Sequence, residues 1–520
     1  MRVAEFRVTY ATLAADPKMH EDYDAGIEKA KAWLGMKHPF YVNGEAREGD
    51  GWHSEVSPID SSIVLGEFAT ATRQDVKDAI AAAKDFAPAW DLLGYEERAR
   101  ILMKAADLME ENRYWISALM AMEVGKSRLE AVGDVQESAD LIRWNAHAMI
   151  EAKGFRVPMQ ALGEAGDYYD IMRPYGVWAV ISPFNFPMAL SAGPSSAALA
   201  AGNTVVFKPA SQGAAIGHTL YECYRDAGLP AGAFHMVSGS GGVVGDEIAN
   251  NPDVAGLTFT GSYDVGMKVY KEFAKDYPKP VICEMGGKNP TIVTRNANLD
   301  KAADGVMRSA FGLQGQKCSA NSRVYVEREV YGEFVAKLKE KTDAIVVGNP
   351  LEQGVYLGPV INEAAVETFE KAAAEARKSG TVISGGEVLR DGDLARGHFV
   401  QPTVVDVPRD SWIWKTELFV PLVAVTKIES LDEGLALAND TEYGLTAGFY
   451  SEDKAEVDRF CNEIEAGVIY INRSAGSTTG AWPGAQPFGG WKGSGTTGKA
   501  SGGPYYVLQY MREQSRTVIG

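Results

Sequence analysis

Positive charge, cysteine and long apolar runs are all scarce in this chain. It has 51 lysines and arginines against 69 aspartates and glutamates, a formal net charge of −18 over 520 residues. So acidic a surface repels nucleic acid and anionic membranes, and neither is expected as a partner. An anionic ligand would need a locally built positive potential. No apolar run is long enough to span a bilayer. Residues 1–20 carry Arg2, Glu5, Arg7, Asp16 and Lys18 and no apolar stretch, so no secretory leader is expected there. The four cysteines, Cys223, Cys283, Cys318 and Cys461, lie far apart with no C-x-x-C pair. That argues against a metal site and a disulfide framework, and suits a reducing cytoplasm.

The chain is long enough for two or three cores, and 46% hydrophobic with 23% charged residues is ordinary for a globular protein. Phe40–Glu45 reads as a strand with an Asn-Gly hairpin turn. Thr72 with Asp75 predicts a helix start, and helical spacing continues over 95–124, stopped by Gly125, and over 128–153. From Val177 short apolar strands alternate with helices, which predicts βαβ units on a parallel sheet. A second such series begins near Pro290. The segments 164–174 and 504–513 read as extended and able to pair, within one chain or between chains.

Five stretches follow strand ends, where parallel sheets bind ligands. S-P-F-N-F-P at 182–187 holds Asn185 stiffly, with an amide able to donate to an oxyanion. F-K-P-A-S at 207–211 presents Lys208 to a ribose or phosphate. F-T-G-S at 259–262 puts Gly261 and Ser262 at a helix start, an anion site. E-M-G-G-K-N-P at 284–290 gives Glu284 a mobile setting for general-base work. T-E-L-F-V-P at 416–421 offers Glu417 to a ribose diol. Taken singly, each is as well read as a turn asparagine, a solvated lysine or a strand-end acid. A sixth stretch, Q-G-Q-K-C-S-A-N-S-R, holds Cys318 beside Lys317, with features of a helix boundary; a neighbouring cation or helix N-terminus would lower the thiol pKa.

Together, in this order, these stretches resemble the aldehyde dehydrogenases from about Tyr41 to the C-terminus. The resemblance implies an α/β fold: a Rossmann-like parallel-sheet cofactor domain (1–154 and 175–286), a second α/β catalytic domain (287–485), and a small β oligomerisation extension with the tail (155–174 and 486–520). It implies Cys318 as nucleophile, Asn185 in the oxyanion hole and Glu284 as the base that releases the acid. Ser182, Pro183, Phe184, Lys208, Ser211, Gly261, Ser262, Glu417 and Phe419 would bind NAD. Ser211 stands where an acid would repel a 2′-phosphate, so NADP is also expected to be accepted.

Within the family, the 314–323 stretch and the tail G-A-W-P-G-A-Q-P-F-G-G are most similar to members that oxidise glutamate semialdehyde to glutamate. That likeness places Ser319, Gly480 and Ala481 on the substrate carboxylate, with Phe186 and Phe488 along its aliphatic part. A cytoplasmic homo-oligomer, dimer or higher, acting on a small aldehyde is expected. Succinate semialdehyde, a broader aldehyde range, or a catalytically silent protein on the same fold are the rival readings. Two departures from the pattern stand out: Val420 where glycine is usual, and Trp482 with Pro483 in the anchor loop.

Overall fold

The computed structural model describes residues 16–520, so most of the stretch expected to lack a leader lies outside them. Two seven-stranded sheets organise the chain. The first runs, in spatial order, Val281–Glu284, Val254–Thr260, Val177–Ile181, Thr204–Lys208 and Phe234–Met236, all parallel, then the hairpin Phe40–Val42 and Glu45–Arg47. Asn43 and Gly44 take the hairpin turn with φ of 51° and 79°, the double left-handed conformation that Asn-Gly supplies most readily. The second sheet places Thr403–Asp406, Leu422–Ile428, Asn321–Glu327, Asn289–Val293, Thr446–Tyr450 and Val468–Ile471 in parallel, with Thr381–Ser384 antiparallel at one edge.

The strands are apolar without interruption because both faces are covered. Along the first sheet, Trp178, Val180, Val205 and Phe207 enter one core while Val177, Ala179 and Val206 enter the other. Along the second, Val324, Val326, Val423 and Val425 face one core; Tyr325, Leu422 and Ala424 face the opposite one. Two-residue alternation thus divides each strand between two helix layers.

The Thr72–Asp75 capping box forms at the start of Arg73–Leu92. The single helix expected over 95–124 is two, Tyr95–Glu111 and Arg113–Val124, broken at Asn112, whose side-chain amide bonds back to Leu108 O. Gly125 ends the second with φ 75°.

A third sheet has Asp167–Pro174 at its centre, paired antiparallel through all its residues with Met511–Val518 and on its other edge with Arg156–Pro158. The two extended segments therefore pair within one chain. The C-terminal strand begins later than expected: Val507–Tyr510 is a short helical turn, because Val507 and Tyr510 are drawn into the first core. Residues 488–496 pack on the first sheet, with Met285 N–H donating to Ser494 O and Thr496 Oγ1 accepting from Cys283 N–H.

One buried carboxyl pair ties three elements together. Glu55, on Trp52–Val56, sits against Glu123, on Arg113–Val124. Glu123 accepts N–H groups of Ala215 (2.6 Å) and Ile216 (3.2 Å) at the start of Ala214–Asp226. With both acids ionised, neither Glu55 oxygen has a partner. Burial pushes both pKa values up, and a shared proton supplies the missing bond. An acid held protonated in the fold contributes stability at low pH that is lost as pH rises through its raised pKa. Melting temperature is therefore expected to fall as pH rises from the ordinary glutamate range through about 7, where Glu123 titrates, and Glu55→Gln to flatten that fall, as scanning calorimetry would measure.

Candidate active site

Four of the six stretches lie side by side because their strands are neighbours. Thr260 is in register with Glu284, Phe259 with Ile181, and Ile181 with Lys208. Their carboxyl ends bring 182–187, Lys208, 261–262 and Glu284 to one edge of the sheet. Gly261 N–H donates to Glu284 O at 3.1 Å, and a Cβ on Gly261 would meet the Phe259 ring at 2.6 Å. Ser182 N–H donates to Lys208 O at 3.1 Å.

Lys208 is buried, and its Nζ finds only Pro209 O at 3.2 Å; burial pulls its pKa down to about 8. A desolvated ammonium with one weak acceptor fits a ribose or phosphate oxygen. Ser211 opens the turn Ser211–Gly213 and is exposed, with no carboxylate in its place. Ser262 precedes Tyr263–Phe273 with its side chain capping nothing, leaving hydroxyl and helix N-terminus for an anion.

The second sheet supplies the sulfur. Cys318 lies in the loop before Asn321–Glu327 and is partly accessible. Leu313, Gln314 and Gly315 approach it with φ of 48°, 53° and 66°. Two consecutive left-handed residues with side chains are strained, and the surroundings must hold them. Gln314 Nε2 donates to Gly125 O at 2.8 Å, and Gln316 Oε1 accepts Ile361 N–H at 2.9 Å. Asn289 Nδ2 donates to Cys318 O (2.7 Å) and Ala320 O (2.9 Å). Asn185 Nδ2 donates to Gln316 O at 3.0 Å, bringing the carboxamide to the nucleophile loop.

Lys317 does not serve the thiol. Its Nζ is bound by both oxygens of Glu130, at 2.7 and 2.8 Å. Nor does Cys318 begin a helix: the turn Gly312–Gly315 precedes it and a strand follows. Burial, then the Glu417 and Glu284 carboxylates, push the thiol up to about 12, against N–H groups of Ser319 and Cys318 directed at the sulfur. Glu284 is half-buried, its Oε2 is buried with no partner among the described residues, and burial raises the acid to about 8.

Glu417 accepts Gly287 N–H at 2.8 Å, and burial raises it to about 7. A Cβ on Gly286 would meet Glu417 Oε2 at 2.1 Å, and one on Gly287 would meet Cys318 O at 2.4 Å. Only a Gly-Gly turn passes between the acid and the cysteine. The left-handed residue of the Glu417 loop is Phe419 (φ 57°), not Val420, which packs in the core. Valine at 420 therefore needs no glycine-like backbone. Phe419 meets Phe184 edge-on, centroids 5.9 Å apart, joining the two sheets' loops.

Ser319 is buried, and its carbonyl accepts Thr478 Oγ1 at 2.7 Å. Its hydroxyl and the N–H groups of Gly480 and Ala481 have no acceptor among the described residues. Phe186 lies under Lys126 Nζ, 3.6 Å from the ring centroid. Phe488 exchanges backbone bonds with Ser501.

Sequence reading missed the acidic face of Arg128–Glu151. Glu130 holds Lys317; Asp134 holds buried Lys126 (2.7 Å) and Ala189 N–H (2.8 Å); Asp140 holds Trp482. Burial raises Glu137 to about 8, against the pull of the Lys126 and Lys317 ammonium groups. The spacing 130, 134, 137, 140 on one helical face was the available signal. Among the described residues no cluster of three or more His, Cys, Asp or Glu could hold a metal, and no helix is long and apolar enough to cross a membrane.

A thiol, a carboxamide and a half-buried acid at the edge of a nucleotide-type sheet define a cysteine-dependent aldehyde oxidoreductase, and the chain belongs to the aldehyde dehydrogenase family, whose pattern matches residues 46–516. It is 38% identical over 518 residues to the 1-pyrroline-5-carboxylate dehydrogenase of a Geobacillus species, covering 98% of each chain. It superposes on a solved 1-pyrroline-5-carboxylate dehydrogenase from Thermus with bound NAD, with a TM-score of 0.94, 32% identity and 100% of both chains covered. A solved proline utilization A from Bdellovibrio bacteriovorus matches with a TM-score of 0.91 and 37% identity; 96% of this chain is covered but only 52% of that one.

Proposed function

We propose that the protein oxidises L-glutamate 5-semialdehyde, the open form of 1-pyrroline-5-carboxylate, to L-glutamate with NAD, as a step of proline degradation. The observation that carries the substrate is the set of donors without acceptors: Ser319 Oγ, Gly480 N–H and Ala481 N–H, beside the cysteine loop. Three such donors suit a carboxylate.

Cys318 Sγ adds to the aldehyde carbon. The developing oxyanion is taken by the Cys318 N–H and the second N–H of the Asn185 amide, the first being engaged by Gln316 O. Bound NAD supplies hydride acceptance. Lys208, Ser262 and Glu417 are suited to hold its ribose and phosphate groups, and Ser182, Pro183, Phe184, Gly261 and Phe419 to line its path. Glu284 takes a proton from the water that attacks the thioester on Cys318. Ser211 leaves room for a 2′-phosphate, so NADP is accepted as well.

The same proposal divides the chain as the sequence resemblance implies: 1–154 with 175–286 for the cofactor, 287–485 for catalysis, 155–174 with 486–520 for assembly and tail. Exposed Val157, Met159, Leu162, Val518 and Ile519 on and beside the third sheet support a homo-oligomer built through it, and four scattered cysteines suit the cytoplasm.

The test compares kcat/KM for glutamate semialdehyde, succinate semialdehyde and propanal with NAD. Glutamate semialdehyde is expected to lead by at least about a hundredfold over propanal, because the other substrate leaves buried donors unpaired. A lead for succinate semialdehyde or propanal would reject the assignment.

A further inference from the structure

The loop that carries the Gly480 and Ala481 N–H groups is restrained from both ends. Upstream, Thr478 Oγ1 donates to Ser319 O (2.7 Å), and Arg473 donates to the carbonyls of Thr479 and Gly480. Gly480 takes φ 109°, which brings the chain around sharply. Downstream, Trp482 turns inward with only 6% of its surface exposed, and its Nε1–H donates to Asp140 Oδ2 at 3.0 Å. Asp140 is itself fixed, with Arg143 at 3.4 Å and Gln136 Nε2 at 3.4 Å from its other oxygen. It stands on the helix that also holds the cysteine loop, through Glu130 and Lys317, and the Asn185 turn, through Asp134 and Ala189.

Trp482 directly follows Ala481, so the seat of its ring sets the backbone angles of Ala481 and the aim of that residue's N–H. We propose that Asp140, acting through Trp482, is the positioning residue that aims the 480–481 amides and so sets selectivity for aldehydes bearing an α-carboxylate. This rests on the assignment of those amides to the substrate carboxylate. The bond also accounts for the tryptophan at a position where the sequence departs from its family. A large ring there does not narrow the pocket; it is drawn away from the loop and into the helix layer. Aldehydes without a carboxylate do not use the loop, and their oxidation does not depend on the bond.

The test measures KM and kcat in full-length Trp482→Phe, Asp140→Ala and Asp140→Asn with NAD, on glutamate semialdehyde and on propanal. Trp482→Phe and Asp140→Ala are expected to raise KM for glutamate semialdehyde about tenfold with kcat nearly unchanged, the loss of one buried hydrogen bond. Propanal kinetics stay as in the parent. Asp140→Asn keeps an oxygen acceptor for the indole, and KM is expected to stay within about threefold of the parent. Equal losses on both aldehydes, or no rise in KM in Trp482→Phe, would overturn the proposal; Trp482→Phe decides it if Asp140→Ala fails to fold. A parent enzyme with no preference for glutamate semialdehyde over propanal sinks the underlying assignment as well. A preference that stays undiminished in every variant sinks only the role of Asp140.

Discussion

Cys318→Ala is expected to lower aldehyde oxidation by about ten-thousandfold or more, the scale on which a nucleophile's removal acts. The sulfur of Cys318 lies in the loop between the two sheets; Cys283, though adjacent in sequence to Glu284, donates its S–H to Gly266 O at 3.7 Å inside the core. Binding should survive, because the residues proposed to hold the ribose and phosphate groups, Lys208, Ser262 and Glu417, do so without the sulfur. NAD affinity by calorimetry is therefore expected to hold within about threefold, since removing a group that makes no ground-state contact leaves binding intact. A variant retaining a tenth of its turnover would remove Cys318 from the chemistry. Cys318→Ser tests the same atom more gently: a hydroxyl ionises less readily than a thiol, and the same carboxylates oppose it.

Glu284→Gln should divide the reaction in two. Thioester formation does not need this acid to carry a proton away from water, so one equivalent of NADH is expected in a fast first turnover. Steady-state turnover then falls by about a hundred- to ten-thousandfold, the usual range for a lost general base. In the parent enzyme Glu284 is held up to about 8 by burial, so at neutral pH most of it is protonated. A raised pKa means that the basic form accumulates only as pH rises, and kcat should climb through about pH 8 where deacylation limits the rate. The glutamine variant should lose that slope. The thiol, pushed up to about 12, favours alkaline pH too, so the first-turnover burst and the steady state must be read separately. A glutamine variant with undiminished steady state would pass the base to another group.

Much of this was legible in the chain because buried parallel strands leave plain marks. Five or six apolar residues ending in glycine, proline or a lone polar group locate both the strand and its carboxyl end, and the sheet's neighbour relations then gather Asn185, Lys208, Ser262 and Glu284. Contacts made across the fold left no such mark. Lys317 is adjacent to Cys318 in sequence but paired with Glu130, nearly two hundred positions earlier in the chain. The helix 128–151 reads as ordinary and amphipathic, yet its acids hold the lysine, the Asn185 turn and Trp482. Asn289 sat within a quoted stretch, but its hold on Cys318 O depends on two strands meeting in register. The C-terminal strand was misplaced because an apolar pattern cannot tell a strand from a turn whose side chains enter a core.

The turn at Gly286 and Gly287 is a partition without side chains between the Glu417 carboxylate and the backbone carbonyl of Cys318. Across it the charge on Glu417 ranks just after burial among the causes that keep the sulfur protonated. Acidity at one position and reactivity at the other are then a single property of the fold. Redesign of the Glu417 loop for a different nucleotide would retune the nucleophile at the same stroke.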